Sequence, residues 1–275
     1  MNSRGPLESR HPRSLRLPGV LGALSVGLLF SALGCGTSQV QRHLQQGADD
    51  LAKGDYSLAQ EHYSQALKLE PSSATAYLGR GKSHEGLAAL AEAAHDYARA
   101  WEIQPDSAEA RERLINVLVE MGEGRQALDH FDGLPPSALT SSLRIARGRA
   151  RMQVELPSAA IADFDSVLKL EPQNVSAHYY RGLAHAKLAE LAAAEEDFTA
   201  AISLEAGHAI AYWQRGLVRE RRGMKELAAA DRQKATELDP RMGFAESQIG
   251  KKMLENLAGQ GGDDAQLELF SKEKR

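Results

Sequence analysis

The residues able to do chemistry in this 275-residue chain are few, and their spacing excludes more than it suggests. There is one cysteine, Cys35, so a disulfide within the chain, an iron–sulfur cluster and a multi-cysteine zinc site are all excluded. His178 and His185 stand seven apart, on one side of a helix if the segment is helical, but two histidines without a third ligand make a poor metal site. No G-x-S-x-G, phosphate-binding glycine loop or H-E-x-x-H run is present, and His84-Glu85 is followed only by His95. The reading is therefore of a protein with no catalytic constellation, cofactor or metal. Arg80, Arg147, Arg181 and Arg215 each precede an aspartate by 16 residues: Asp96, Asp163, Asp197 and Asp231. Where the arginine is absent, at Gln46 and Leu114, the aspartate is replaced too, by His62 and His130. Two residue types that appear and vanish together within one chain predict a helix–helix ion pair, partly buried and structural in role.

The elements that must carry these residues begin with an N-terminal address. Residues 1–16 hold Arg4, Arg10, Arg13 and Arg16 against one acid, Glu8, and residues 17–34 carry no charge. Ser31-Ala32-Leu33-Gly34-Cys35 resembles a bacterial lipobox. That resemblance implies cleavage of a signal peptide, residues 1–34, followed by lipid on Cys35 and a short lipidated linker over 35–39. Lipid of that kind anchors far more firmly than one acyl chain. With Gly36 and Thr37 following in place of aspartate, it also implies the outer membrane, facing the periplasm. Two other readings stay open: an uncleaved anchor, since 18 uncharged residues just span a bilayer, and an ordinary signal peptide with an incidental cysteine. Cleavage would remove four arginines and one glutamate from a net charge of −4, leaving −7. An acidic body favours neither nucleic acid nor anionic headgroups, so membrane contact would be through the lipid.

The rest of the chain repeats. Pro71 and Pro105 are 34 apart and Pro172 and Pro240 are 68 apart, each closing a run of one shape: AQEHYSQALKLEP, EAAHDYARAWEIQP, AAIADFDSVLKLEP and LAAADRQKATELDP. Gly47, Gly81, Gly148, Gly182 and Gly216 recur in the same register. The pattern resembles the tetratricopeptide repeat, which has a small residue at position 8, Ala at 20, an aromatic at 24 and Pro at 32. Six copies follow, over 40–73, 74–107, 108–140, 141–174, 175–208 and 209–242. Position 20 is alanine in all six: Ala59, Ala93, Ala127, Ala160, Ala194 and Ala228. Position 24 is Tyr63, Tyr97, Phe131, Phe164, Phe198 and the exception Arg232. The resemblance implies an all-α fold, a right-handed α-solenoid of about six helix pairs. Helix periodicity agrees with it, and so does the scarcity of aromatic and β-branched residues that a sheet protein would want. Repeat three departs from the pattern: it has Ile115 at position 8, and Pro135 and Pro136 arrive early, so its second helix should stop near Leu134. A capping helix is expected over 243–258, and a polar, disordered tail over 259–275, whose apolar residues include Leu267, Leu269 and Phe270.

In this family the first helices line a concave face. The resemblance puts Tyr179, Leu183, Ile210, Trp213 and Leu217 there in repeats five and six, where they either form an exposed peptide groove or are covered by the capping helix or tail folding back over this face. Chaperone-binding members carry Lys and Asn at positions 5 and 9 of the first repeat. Leu44 and Ala48 do not match, so that activity is not expected. The expectation is a membrane-anchored scaffold of the bacterial envelope that binds a protein segment. In layout it is similar to tetratricopeptide lipoproteins that assist pilus secretin assembly or tether peptidoglycan hydrolases. The rivals are a signal-anchored assembly factor of the inner membrane and an accessory subunit of an envelope enzyme.

Overall fold

The computed structural model describes residues 25–132 and 134–246, and side chains from residue 39 to residue 243. Among these residues the chain is all helical, without a strand. Twelve α-helices run in order: α1 Ser25–Lys53, α2 Tyr56–Leu69, α3 Ala74–Gly86, α4 Leu90–Ile103, α5 Ala108–Glu120, α6 Gly124–Asp129, α7 Ser141–Gln153, α8 Pro157–Leu170, α9 Val175–Lys187, α10 Leu191–Leu204, α11 Ala209–Arg221 and α12 Lys225–Leu238. Short 3₁₀ turns cover Pro136–Ala138 and Pro240–Glu246. Consecutive helices pair, and each pair packs on the next. Neighbouring odd-numbered helices also touch, α5 with α7, α7 with α9 and α9 with α11, which makes them the tighter, inner layer of the array.

Small residues set the distance within each pair. All six position-20 alanines are fully buried. A Cβ on Gly148 would lie 2.5 Å from the Phe164 ring, and one on Gly81 would lie 2.6 Å from Tyr97. Each glycine is thus the flat seat of the aromatic sixteen residues later. Where Arg232 replaces that aromatic, a Cβ on Gly216 would meet nothing nearer than 3.2 Å. Turns are built alike in every pair. The residue at position 15 is left-handed each time: Gly54, Ala88, Gly122, Glu155, Ala189 and Gly223. The next N–H then reaches back to the carbonyl five residues earlier, as in Asp55 to Asp50 and Ala89 to His84, closing the first helix of the pair. Ser73, Ser107, Thr140, Asn174 and His208 each accept a hydrogen bond from the backbone N–H three residues on, and so cap the start of α3, α5, α7, α9 and α11.

Packing forms several local clusters in place of one central core. Val40, Tyr63 and Leu67 lie in one, Tyr97, Leu114 and Val117 in a second, and Phe164, Tyr180 and Phe198 in a third. This is the layout of a linear array whose units contact only their neighbours.

Three expectations need adjustment. The second helix of repeat three, α6, stops at Asp129, five residues before Leu134. Past it, His130 and Phe131 donate to carbonyls three residues back, and Leu134 bonds Phe131 likewise. Prolines at 135 and 136 forbid the helical bonds that would extend it. The segment 35–39, read as a linker, lies inside the unbroken helix α1. Of the capping helix over 243–258, the described part is 3₁₀ turn, and the remainder, with the tail and residues 1–24, lies outside the described residues.

Candidate functional site

The Arg–Asp positions meet between the two helices of a pair. Arg80 donates through Nε to Asp96 Oδ2 and through a terminal nitrogen to Asp96 Oδ1, both at 2.7 Å. Arg147 reaches Asp163 at 2.5 Å, Arg181 grips Asp197 at 2.9 and 2.7 Å, and Arg215 grips Asp231 at 3.0 and 2.7 Å. The four aspartates are buried and the arginines partly so. Two-pronged geometry of this kind satisfies both carboxylate oxygens, which a buried charge requires. The Asp197 hydrogen bond, ahead of the opposing effect of burial, pushes the Arg181 guanidinium well above its ordinary pKa. Arg181 also bonds Asp165 at 2.6 Å, and Arg215 bonds Thr199 at 3.1 Å, so the same side chain ties one pair to the one before it.

A third member of this clamp was missed by sequence reasoning. In repeats two, four, five and six position 11 faces the same carboxylate: Arg151 on Asp163 at 2.7 Å, Arg219 on Asp231 at 2.8 Å, and His84 and His185 near Asp96 and Asp197 at 3.6 and 3.8 Å. Repeat one inverts the polarity, with Asp50 at position 11 and His62 at position 23, 3.5 Å apart. Repeat three has Leu114, Leu118 and His130 at the three places, and Leu114 and Leu118 are buried. Complementary sign at positions 11 and 23 was the available signal. His178 lies 3.2 Å from Asp197 through Nδ1, so both histidines weighed as metal ligands attend this carboxylate. Among the described residues no group of three or more such side chains could hold a metal ion.

The inner face differs from expectation in repeats five and six. Trp213 is fully buried against Ala235 and Met242, and Tyr179 and Leu183 are buried as well. The Tyr179 ring lies 5.2 Å from Tyr180, 5.9 Å from Phe198 and 5.0 Å from His208. A large ring at this place is covered by the adjoining pair and, for Trp213, by the 3₁₀ turn that follows α12. Ile210 and Leu217 keep partial exposure. An open part of this face lies between α1 and α3. A recess of about 420 Å³ is walled by Leu51 and Leu78, with Ala48, Ala52 and Gly79 leaving the space and Lys82 at its edge. The corresponding places at other junctions carry larger groups, such as Arg113 or Tyr180 where Gly79 stands. Lys82 is held by Glu109 at 2.7 Å. Leu44 and Leu78 keep partial exposure.

Models described as tetratricopeptide repeat match residues 44–109 and 145–204, and a second such model matches 86–152. Together they take in more than half of the chain, which therefore belongs to the tetratricopeptide-repeat family. Among solved structures, PilW, described as a widely conserved type IV pilus biogenesis factor, superposes with a TM-score of 0.63 at 18% identity, over 78% of this chain and 98% of its own. The pilF protein of Pseudomonas aeruginosa gives 0.59 at 18% identity, over 80% and 99%. A tetratricopeptide repeat protein of Parabacteroides merdae gives 0.62 at 19% identity, over 86% and 98%. At these identities the likeness is one of fold. No curated protein matches the chain in sequence.

Proposed function

We propose that the protein is a non-catalytic adaptor of a bacterial envelope, anchored by lipid on Cys35 to the outer membrane and facing the periplasm, which holds a segment of a partner protein on its inner face. Tetratricopeptide arrays mediate protein–protein interactions, and the observation that carries the binding half of this reading is the open apolar recess between α1 and α3. The anchoring half is supported by the uncharged run ending at Gly34-Cys35. PilW, described as a type IV pilus biogenesis factor, shares the fold and suits an envelope setting.

One observation favours a second reading. Helix α1 is described from Ser25 onward, within the uncharged run, and passes through residue 35 without a break. An uncleaved anchor continuous with the first repeat fits that geometry. Mass spectrometry of the native N-terminus separates the two: a chain starting at diacylated Cys35 supports the lipoprotein, and an intact Met1 supports the anchor. For the binding half, a photo-crosslinker in place of Leu78 is expected to give a discrete adduct in cells that Ala48→Arg abolishes. An adduct unaffected by that substitution would place the partner elsewhere.

A further inference from the structure

The outer face of the array has an opening where repeat three departs from its siblings. In repeats five and six the arginine at position 7 crosses to position 25 of the preceding repeat, as Arg181 does to Asp165 and Arg215 to Thr199. In repeat three that arginine is Leu114, the facing residue is Ala98, and α6 has six residues where its counterparts have 14. The result is a cleft of about 260 Å³ between α4 and α6. Leu114, Leu118, Ala94 and Ala98 line it together with the Trp101 and His130 rings, and Glu102 and Gln126 add polar groups. The two rings meet edge to face at 5.3 Å, and Trp101 is fixed by its own bond to the Pro105 carbonyl at 3.0 Å. An apolar cavity of about 150 Å³ suffices for benzene, so this cleft has room for a phenyl side chain.

We propose that the cleft between α4 and α6 receives the Leu267–Phe270 segment of this chain's own C-terminal tail, in cis. The length of chain beyond the described residues supports that occupant. Twenty residues separate Glu246 from Leu267, enough for about 66 Å when extended. Even with residues 247–258 coiled into helix, at 1.5 Å per residue, about 44 Å of reach is left. From repeat six to repeat three is three steps of the stack, about 30 Å at the 8–10 Å spacing of packed helices. The inner-face recess of repeats one and two lies one step further off. The sequence supplies the right occupant as well. Between Gly259 and Arg275 the large apolar residues are Leu267, Leu269 and Phe270, the last being the one aromatic ring there. Sequestering them removes exposed apolar surface on both sides of the contact.

Two measurements on the full-length protein in mild detergent test this. Trp213 is fully buried and Trp101 is partly exposed, so acrylamide quenching of tryptophan fluorescence reads Trp101. The tail variant Leu267→Ala, Leu269→Ala, Phe270→Ala alters no residue of the described array, and it is expected to raise the quenching constant. An unchanged constant overturns the proposal. Second, with Cys35→Ser, the pair Gln126→Cys and Ser271→Cys should form an intrachain disulfide on mild oxidation faster than Lys82→Cys with Ser271→Cys. Equal rates would mean an undocked tail, and a disulfide-linked dimer would mean the tail of a second copy. Either result overturns docking in cis.

Discussion

Asp163 shows what one carboxylate does in this fold. It accepts from Arg147 and Arg151 and is almost wholly buried. Asp163→Ala leaves two cations facing each other over an empty place, and it should cost about 3 kcal/mol in chemical denaturation, the lower end for a broken buried pair because both arginines keep some water. Copying repeat three, with Arg147→Leu, Arg151→Leu and Asp163→His together, should cost less than that single change, since apolar replacement of a whole buried network is often neutral. A triple variant weaker than Asp163→Ala would refute this account of the clamp. His130 predicts a pH effect. Burial pushes its pKa below the ordinary histidine value, with Arg111 adding to the shift and Asp129 opposing it. The unfolded chain therefore binds the proton more readily, so this contribution to stability is complete above about pH 6.5 and is lost as pH falls through the folded value. Thermal midpoints of wild type and His130→Gln, compared between pH 7 and pH 5, should diverge as pH falls, with the wild type losing more. Positions 7 and 23 were legible in the sequence because arginine and aspartate come and go together. Position 11 was harder to read, because Asp50, His84, Leu118, Arg151, His185 and Arg219 share no residue type, and only the sign of the charged ones relative to position 23 marks the place.

Among the elements, the turn inside each pair carries the clearest prediction. Ala88, Glu155 and Ala189 have φ of 58°, 61° and 60°, where the equivalent Gly54, Gly122 and Gly223 have 79–82°. A side chain in that region costs about 1 kcal/mol or more. Ala88→Gly, Glu155→Gly and Ala189→Gly should each raise stability by a few tenths to 1 kcal/mol, the gain offset in part by a freer unfolded chain. Glu155→Gly should gain least, because Glu155 also receives Lys187 at 2.8 Å. The pairing of helices was readable from the small residue, the alanine and the aromatic. The early end of α6 was only half readable: the prolines marked that the helix stops, but the turns from His130 to Leu134 decide where. The groove of repeats five and six failed for a different reason. Whether Trp213 faces solvent depends on the turn of chain beyond α12, and a pattern within one repeat carries no record of that.

Across the whole molecule, stability is local. Clusters of one to three repeats replace a common core, so each segment opens with its own free energy. Amide exchange should be fastest, among the helices of repeats two to six, in α6, with its six residues and no ion clamp, and slower in α8, whose Asp163 is clamped twice. Uniform protection along the array would contradict this picture. Helix α1 bears on the whole molecule in another way. Its 29 residues form one rod of about 43 Å, with the first repeat built on the C-terminal part. Anything attached near residue 35 of this helix therefore sets the compass heading of the array as well as its distance. One residue inserted between positions 35 and 40 would swing all six repeats about 100° around the rod while lifting them only about 1.5 Å, whereas four inserted residues would bring them nearly back to their first bearing. If a partner meets the inner face from a fixed direction, loss and recovery of binding with insert length would follow the turn of the helix rather than the length of the tether.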